Sequence, residues 1–321
     1  MTGFFSELGT KLADRWIALL VLPGVLYVAT ATAATVLGHR HALDVGELRS
    51  WVDAVATVPA THSTGTVLLV ATGVLVAATG AGLIAATLGF FLDRAWNTPG
   101  TRVPGRWLTN RRRRRWNRAE DTVNKAIAIA AQNSAVPYPP LREALVARNR
   151  ISLLEPDRPT WIGDRLRATD HRLHHAYDLD LATVWPRLWL LIPDSVRAEL
   201  SVAQDAYTAT ARLSGWGMLY LIPGCWWWPA LGIATTTVAT AWIRARLATV
   251  VLADLTESTV ELYTRDLATQ LGLPVHGPLT KEVGLAITAT LRKDPAATDV
   301  DHHRSIHHIN PPDSNLQRPQ S

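Results

Sequence analysis

The chain has 321 residues, 48% of them hydrophobic, with a formal net charge of +5 and a single cysteine. One cysteine, Cys225, excludes an intrachain disulfide and any zinc cluster built on several thiolates. The 32 basic residues are 28 Arg and four Lys, the usage of a G+C-rich bacterial genome.

Residues 1–15 form a short segment carrying Lys11 and Arg15. Trp16 to Gly38 follows, 23 residues without a charge. A helix of about 20 apolar residues crosses a hydrocarbon core of about 30 Å, so 16–38 reads as a first transmembrane helix. A cleaved signal peptide is the competing reading, since Ala31-Thr32-Ala33 ends the run. Its apolar region exceeds the usual length of about 7–15 residues, however, and contains Pro23-Gly24. The 39–65 stretch is a loop with Arg40 and Arg49 against Asp44, Glu47 and Asp53.

Thr66 to Leu92 is 27 residues without a charge, the second transmembrane helix at 66–92. Basic residues crowd its far end: Arg94, Arg102, Arg106, Arg111, Arg112, Arg113, Arg114, Arg115 and Arg118. Between residues 93 and 206 there are 19 Arg or Lys against 13 Asp or Glu. Val123, Ile127 and Ala131 recur every fourth place, predicting an amphipathic helix over Ala119–Ala131. Pro137, Pro139 and Pro140 end it, and a shorter helix is predicted over Leu141–Asn149.

The arginine run with Trp116 is a candidate contact for anionic lipid or for a partner's acidic surface. It also obeys the enrichment of Lys and Arg in cytoplasmic loops. Phosphates of nucleic acid would suit it too, but no folded nucleic-acid motif accompanies it, so nucleic acid is the unfavoured partner.

In the 159–207 region, Ile162, Leu166, Leu173 and Tyr177 share one helical face. His171 and His175 are four apart, as are His174 and Asp178, so each pair can meet on one face and hold a divalent ion. The bland alternative is an exposed helix face rich in His and Arg. Leu188 to Ile192 is too short to span; with Trp185 and Trp189 it lies on a bilayer surface or packs into a small core.

The same region carries a resemblance. Pro159, Thr160, Gly163, Asp170, Tyr177, Leu179, Asp180, Trp185, Pro186, Arg187 and Leu188 match a block found in uncharacterised multi-spanning membrane proteins of actinobacteria. That block runs Pro-Thr-x-Leu-Gly-Asn, an acidic residue, Tyr-Gly-Leu-Asp and Trp-Pro-Arg-Leu before a helix that ends in a span. Here Ile162 stands for the Leu, Asp164 for the Asn and Asp178 for the Gly. The similarity covers about 50 residues. It implies a four-helix membrane protein and carries over no activity.

Ser214 to Ile243 is 30 residues without a charge. As one helix it would reach roughly 45 Å, and Pro223-Gly224 and Pro229 interrupt it. We read it as a hairpin, with a third transmembrane helix at 207–222, a fourth at 226–248, and a tryptophan-rich tip. A single tilted span is the alternative. Leu247, Val251, Leu255 and Leu262 continue the apolar face until Gly272 and Pro274. A last helix is predicted over Thr280–Leu291, and the 293–321 tail, with His302, His303, His307 and His308, reads as disordered.

Four spans put every basic cluster on one side of the membrane, three would not. The expectation is therefore an all-α integral protein of the cell membrane with four transmembrane helices. Both termini, the 93–206 helical region and the 249–292 helices are then cytoplasmic. There is no Gly-rich phosphate loop and no nucleophile elbow, and no cofactor is expected. Three classes of function fit. The first is a membrane-anchored scaffold binding a protein partner or anionic lipid. The second is a channel, transporter or membrane-perturbing protein, disfavoured by spans with almost no ionisable residues. The third is a membrane enzyme with a metal site in the 170–178 cluster. The small-residue spacings Gly73/Ala77 and Ala78/Gly82 permit a homo-oligomer.

Overall fold

The computed structural model describes residues 21–57, 63–101, 103, 105–133, 139–275 and 277–293. The N-terminal segment with Lys11 and Arg15, the start of the first apolar run, Arg102 and the histidine-bearing tail lie outside the described residues. Among the described residues every regular element is a helix, as the 3.6-residue spacing of apolar positions requires. In chain order they are α1 Leu22–Leu37, α2 Val45–Ala56, α3 Thr64–Asn97, α4 Gly105–Asn133, α5 Pro139–Ile151, α6 Trp161–Tyr177, α7 Leu181–Leu191, α8 Asp194–Leu219, α9 Leu221–Gly224, α10 Trp228–Gln270 and α11 Lys281–Arg292.

The chain divides into two compact units, and the division falls within α6, α8 and α10. The first comprises residues up to Asp164 together with Ala203–Val250. Its central element is α3, a 34-residue helix that Ser63 caps by accepting from the Thr66 amide at 3.5 Å. By length and composition α3 is the one helix among the described residues that is long and apolar enough to cross a membrane; α1 is apolar but has 16 residues. The hairpin legs fall short because tryptophans, threonines and flanking arginines dilute their apolar residues.

Helices in this unit approach through small residues. A Cβ on Gly24 would lie 2.1 Å from the Ala78 carbonyl oxygen, and one on Gly215 would lie 2.0 Å from that of Ala85. Only glycine lets those backbones come so close. Ala34, Ala78, Ala85, Ala211, Ala230, Ala234, Ala241 and Ala245 are buried with them. The Tyr27 ring sits 6.3 Å from that of Trp216 and 5.4 Å from that of Tyr220. Pro223 and Gly224 occupy the break between α8 and α10. The two legs then run side by side: a Cβ on Gly217 would meet Val238 at 2.6 Å, and one on Gly224 would meet Leu231 at 2.4 Å. The tip is stitched to the end of α1, because the Trp227 indole donates to the Ala42 carbonyl at 2.9 Å and His39 Nε2 lies 3.0 Å from the Cys225 carbonyl.

Within the stretch read as a loop, residues 45–56 form α2. Asp44 caps it by accepting from the Gly46 and Glu47 amides. None of its residues is buried.

The second unit comprises Arg165–Val202 and the chain from Val251. Its interior is a conventional one. Leu173, Leu179, Val184, Leu188, Ile192, Leu200, Val260, Leu267 and Ile287 are all buried and pack together. Leu188 and Ile192 thus belong to this core, the second of the two placements open to them from sequence. Pro186 is tolerated inside the short α7 on its exposed side. Thr280 caps α11 by accepting from the Val283 amide, and Lys293 ends it in the left-handed conformation.

Candidate functional site

A polar cluster of the first unit begins at the C-terminal end of α3. Asp93 and Asn97 sit four apart, hence on one helical face. The Tyr207 hydroxyl donates to Asp93 Oδ1 at 2.5 Å, and Asn97 Nδ2 donates to the Tyr207 oxygen at 3.0 Å. Arg158 donates to the Asn97 carbonyl. Thr160 donates its hydroxyl to the Trp96 carbonyl at 3.1 Å and accepts from the Gly163 amide at 3.2 Å, so it ties the start of α6 to the end of α3. Gly163 is needed there, since a Cβ would lie 2.2 Å from the Trp96 carbonyl oxygen.

One residue further on is Asp164, whose side chain is 1% exposed. One of its oxygens accepts from the Asp157 amide at 3.1 Å and the Arg158 amide at 2.9 Å, and the other pairs with Arg112. Arg112 also donates to the carbonyls of Arg158 at 2.7 Å and Ile151 at 3.0 Å. The Trp116 indole donates to the Ser152 carbonyl at 3.0 Å. Two backbone amides and a guanidinium fill three of the carboxylate's four lone-pair sites, so Asp164 acts as a clamp that ties the 151–158 segment and α4 to the start of α6. Across the same unit the Arg246 guanidinium lies 4.5 Å above the Trp161 ring.

Helical phase therefore divides the arginine run. Arg112 points inward to Asp164, and Arg113, 40% exposed, pairs at the surface with Glu155 at 2.8 Å and Asp157 at 3.7 Å. Trp116 lies on that inward side and is half-buried. Arg111, Arg114 and Arg115 are exposed, and Arg111 lies 5.7 Å from the Trp107 ring.

The residues of the family-like block separate between the units. Pro159, Thr160 and Gly163 stand at the junction just described; Tyr177, Asp180, Trp185, Pro186 and Arg187 belong to the second unit. There Asp180 caps α7, accepting from the Ala182 amide at 3.2 Å, the Thr183 hydroxyl at 2.6 Å and Arg292 at 2.6 Å. The Thr183 and Arg292 hydrogen bonds hold its carboxyl below the usual carboxylate range. Trp185 and Trp189 pack against the core with ring centroids 6.1 Å apart. Arg187 is exposed and donates to the Thr183 carbonyl. Burial pushes the Tyr177 phenol up, with Glu261 and Glu257 adding to it. Two further pairs join α6 to α10 within this unit: Arg165 with Asp254, and Arg172 with Glu257 at 2.5 Å.

His171 and His175 stack their rings at 6.4 Å and, like His174, are exposed. Among the described residues no group of three His, Cys, Asp or Glu converges as metal ligands would. Asp178 serves a backbone role. It has φ of 50° as it leaves α6, and its amide donates to the His174 carbonyl at 2.7 Å. That left-handed position is where the resembled pattern carries glycine.

Sequence reasoning passed over Asp93, Asn97, Ser152, Arg158 and Tyr207. The i, i+4 pair Asp93/Asn97 at the end of an uncharged run was the available signal. The chain matches no protein-family model, no curated protein and no solved structure.

Proposed function

We propose that this chain is a cell-membrane scaffold with four transmembrane helices, near 16–38, 66–92, 207–222 and 226–248, and with both termini in the cytoplasm. Its cytoplasmic helices bind a protein partner or an anionic lipid surface. The observation that carries the membrane part is the packing of α3, whose buried positions are small except for Trp96 while its large aliphatic side chains face outward. Ala78 and Ala85 are 0% exposed while Leu69 is 75% and Val76 66% exposed. Water would drive the opposite arrangement, whereas lipid tails are as apolar as leucine and reward close backbone contact. The threonines of α10 are compatible with such a setting, because Thr235 and Thr236 donate to the carbonyls four residues earlier. On α2, Val45, Leu48, Trp51, Val52 and Val55 form one unburied apolar stripe, the pattern of a helix lying in an interface.

The scaffold part rests on the clamps around Asp164 and Asp180, which hold helices together. Cys225 is exposed and is the chain's single thiol, so it reports topology without engineering. A membrane-impermeant maleimide should label it on intact cells. In a Cys225→Ser, Ser201→Cys variant, labelling should require permeabilisation. The reverse pattern, or release of the chain from membranes by alkaline carbonate, would sink the four-span reading.

A further inference from the structure

The division of the arginine run leaves a surface that the fold itself does not use. Arg111, Arg114, Arg115 and Arg118 are exposed on the face of α4 opposite Arg112 and Trp116. Their side chains make no ion pair with any described residue, although Arg112, Arg113 and Arg148 nearby all find carboxylates. Trp107, 62% exposed, shares their face and lies under the Arg111 guanidinium. This face begins close to the end of α3. Gly105 follows Asn97 by eight positions, and Gly100 abuts Thr109, where a Cβ would lie 2.0 Å from the hydroxyl.

We propose that Arg111, Arg114, Arg115 and Arg118, with Trp107, form a docking face for the phosphodiester headgroups of anionic phospholipid in the leaflet where α3 ends. The inference rests on the membrane reading above and narrows its lipid arm from a run of arginines to one phase of a helix. Charge complementarity and continuity with the span select the occupant. Four exposed guanidiniums on one face, without an ion pair to any described residue, suit phosphate anions. Indoles prefer headgroup depth, and Trp107 lies ten positions beyond the end of α3. A folded acidic partner would meet the same charges, but it gives no account of why the face starts within three turns of the apolar helix.

The test uses the full chain reconstituted with phosphatidylcholine and a minor fraction of spin-labelled phosphatidylglycerol. Wild type should hold phosphatidylglycerol in its motionally restricted lipid shell. Changing all four outer arginines to Gln should lower that preference by at least about tenfold, given roughly fivefold per surface arginine at low salt. Changing all four to Lys should keep most of it. Arg113→Gln, at the arginine already paired with Glu155, should leave it unchanged, and raising salt should weaken it only where the outer four are present. Equal preference in wild type and the Gln variant, with the chain still resistant to carbonate, overturns this proposal and leaves the membrane reading intact. Displacement by millimolar inorganic phosphate, or tighter capture of an RNA oligonucleotide than of the lipid, overturns it too.

Discussion

In the unit that carries α3 the contacts between α1, α3, α8 and α10 are rich in buried alanine and glycine, with Trp216 and Leu219 among them, while Leu69, Val76, Phe90 and Phe91 of α3 face outward. In the unit that carries α7 and α11 the interior is leucine, isoleucine and valine, and most charges face outward. Both are helical and both come from one chain, so helix propensity does not separate them. On the membrane reading proposed above, the medium does. Burying large side chains pays where the outside is water. Where the outside is itself apolar, the gain comes from dispersion between close backbones and from satisfied polar groups. The first unit accordingly needs its glycines at contact points and its ionic clamp at the edge of the apolar zone.

The comparison breaks most sharply at Asp164. Asp164→Ala should cost about 3–5 kcal/mol, because it strands the Arg112 charge among buried carbonyls; thermal unfolding of the detergent-solubilised chain reads it. Asp164→Asn, which returns the amide of the resembled pattern, should cost less. Next come large apolar side chains. Leu188→Ala in the second unit should destabilise by about 2–5 kcal/mol, while Leu69→Ala in the first should fall within about 0.5 kcal/mol in detergent. Equal losses at Leu69 and Leu188 would erase the contrast between the units. Gly215→Val should cost about 1–3 kcal/mol by prising α8 from α3, read as loss of the Tyr27–Trp216 environment in tryptophan fluorescence.

A smaller effect concerns acid. The Asp180 carboxyl is depressed in the folded chain, so its stabilisation is present above the unfolded value of about 3.9 and is lost as pH falls through the lower folded value. The melting advantage of wild type over Asp180→Asn should therefore shrink below about pH 4. The smallest is a gain. Asp178→Gly relieves left-handed strain of roughly 1–2 kcal/mol against an unfolded-chain entropy cost of about 0.4–1 kcal/mol, so a slightly higher melting temperature is expected.

The helical class was legible because apolar residues recur at three- and four-residue spacing throughout. Element limits late in the chain came close: the helix expected to run to Leu271 is α10, ending at Gln270, and the one expected over Thr280–Leu291 is α11. Residues 45–56 were left without an element although Asp44 and the Val45/Leu48/Val52/Val55 spacing signal a capped helix; twelve residues is short for a confident period. The arginine run looked uniform for a different reason. Arg112 and Arg114 have identical chemistry and neighbours in sequence; only the partner 52 positions away distinguishes them. Pairing at that separation leaves no trace in local spacing. The left-handed turn at Asp178 was hidden because aspartate there hides a conformation that glycine would have advertised.

The stitch between the hairpin tip and the end of α1 has a consequence for the order of events during synthesis. His39 and Cys225 are 186 positions apart. At about 5–20 residues per second, roughly ten to forty seconds separate their emergence from the ribosome. The Gly24–Ala78 contact is available much earlier, so α1 and α3 form a pair that must wait, with the groove for α8 open, until the second hairpin arrives. A ribosome stalled near Leu200, with α3 clear of the exit tunnel, would hold the chain in that half-built state, with the Ala85 and Gly89 face uncovered. Such a nascent chain is the form in which this protein most exposes its small-residue face.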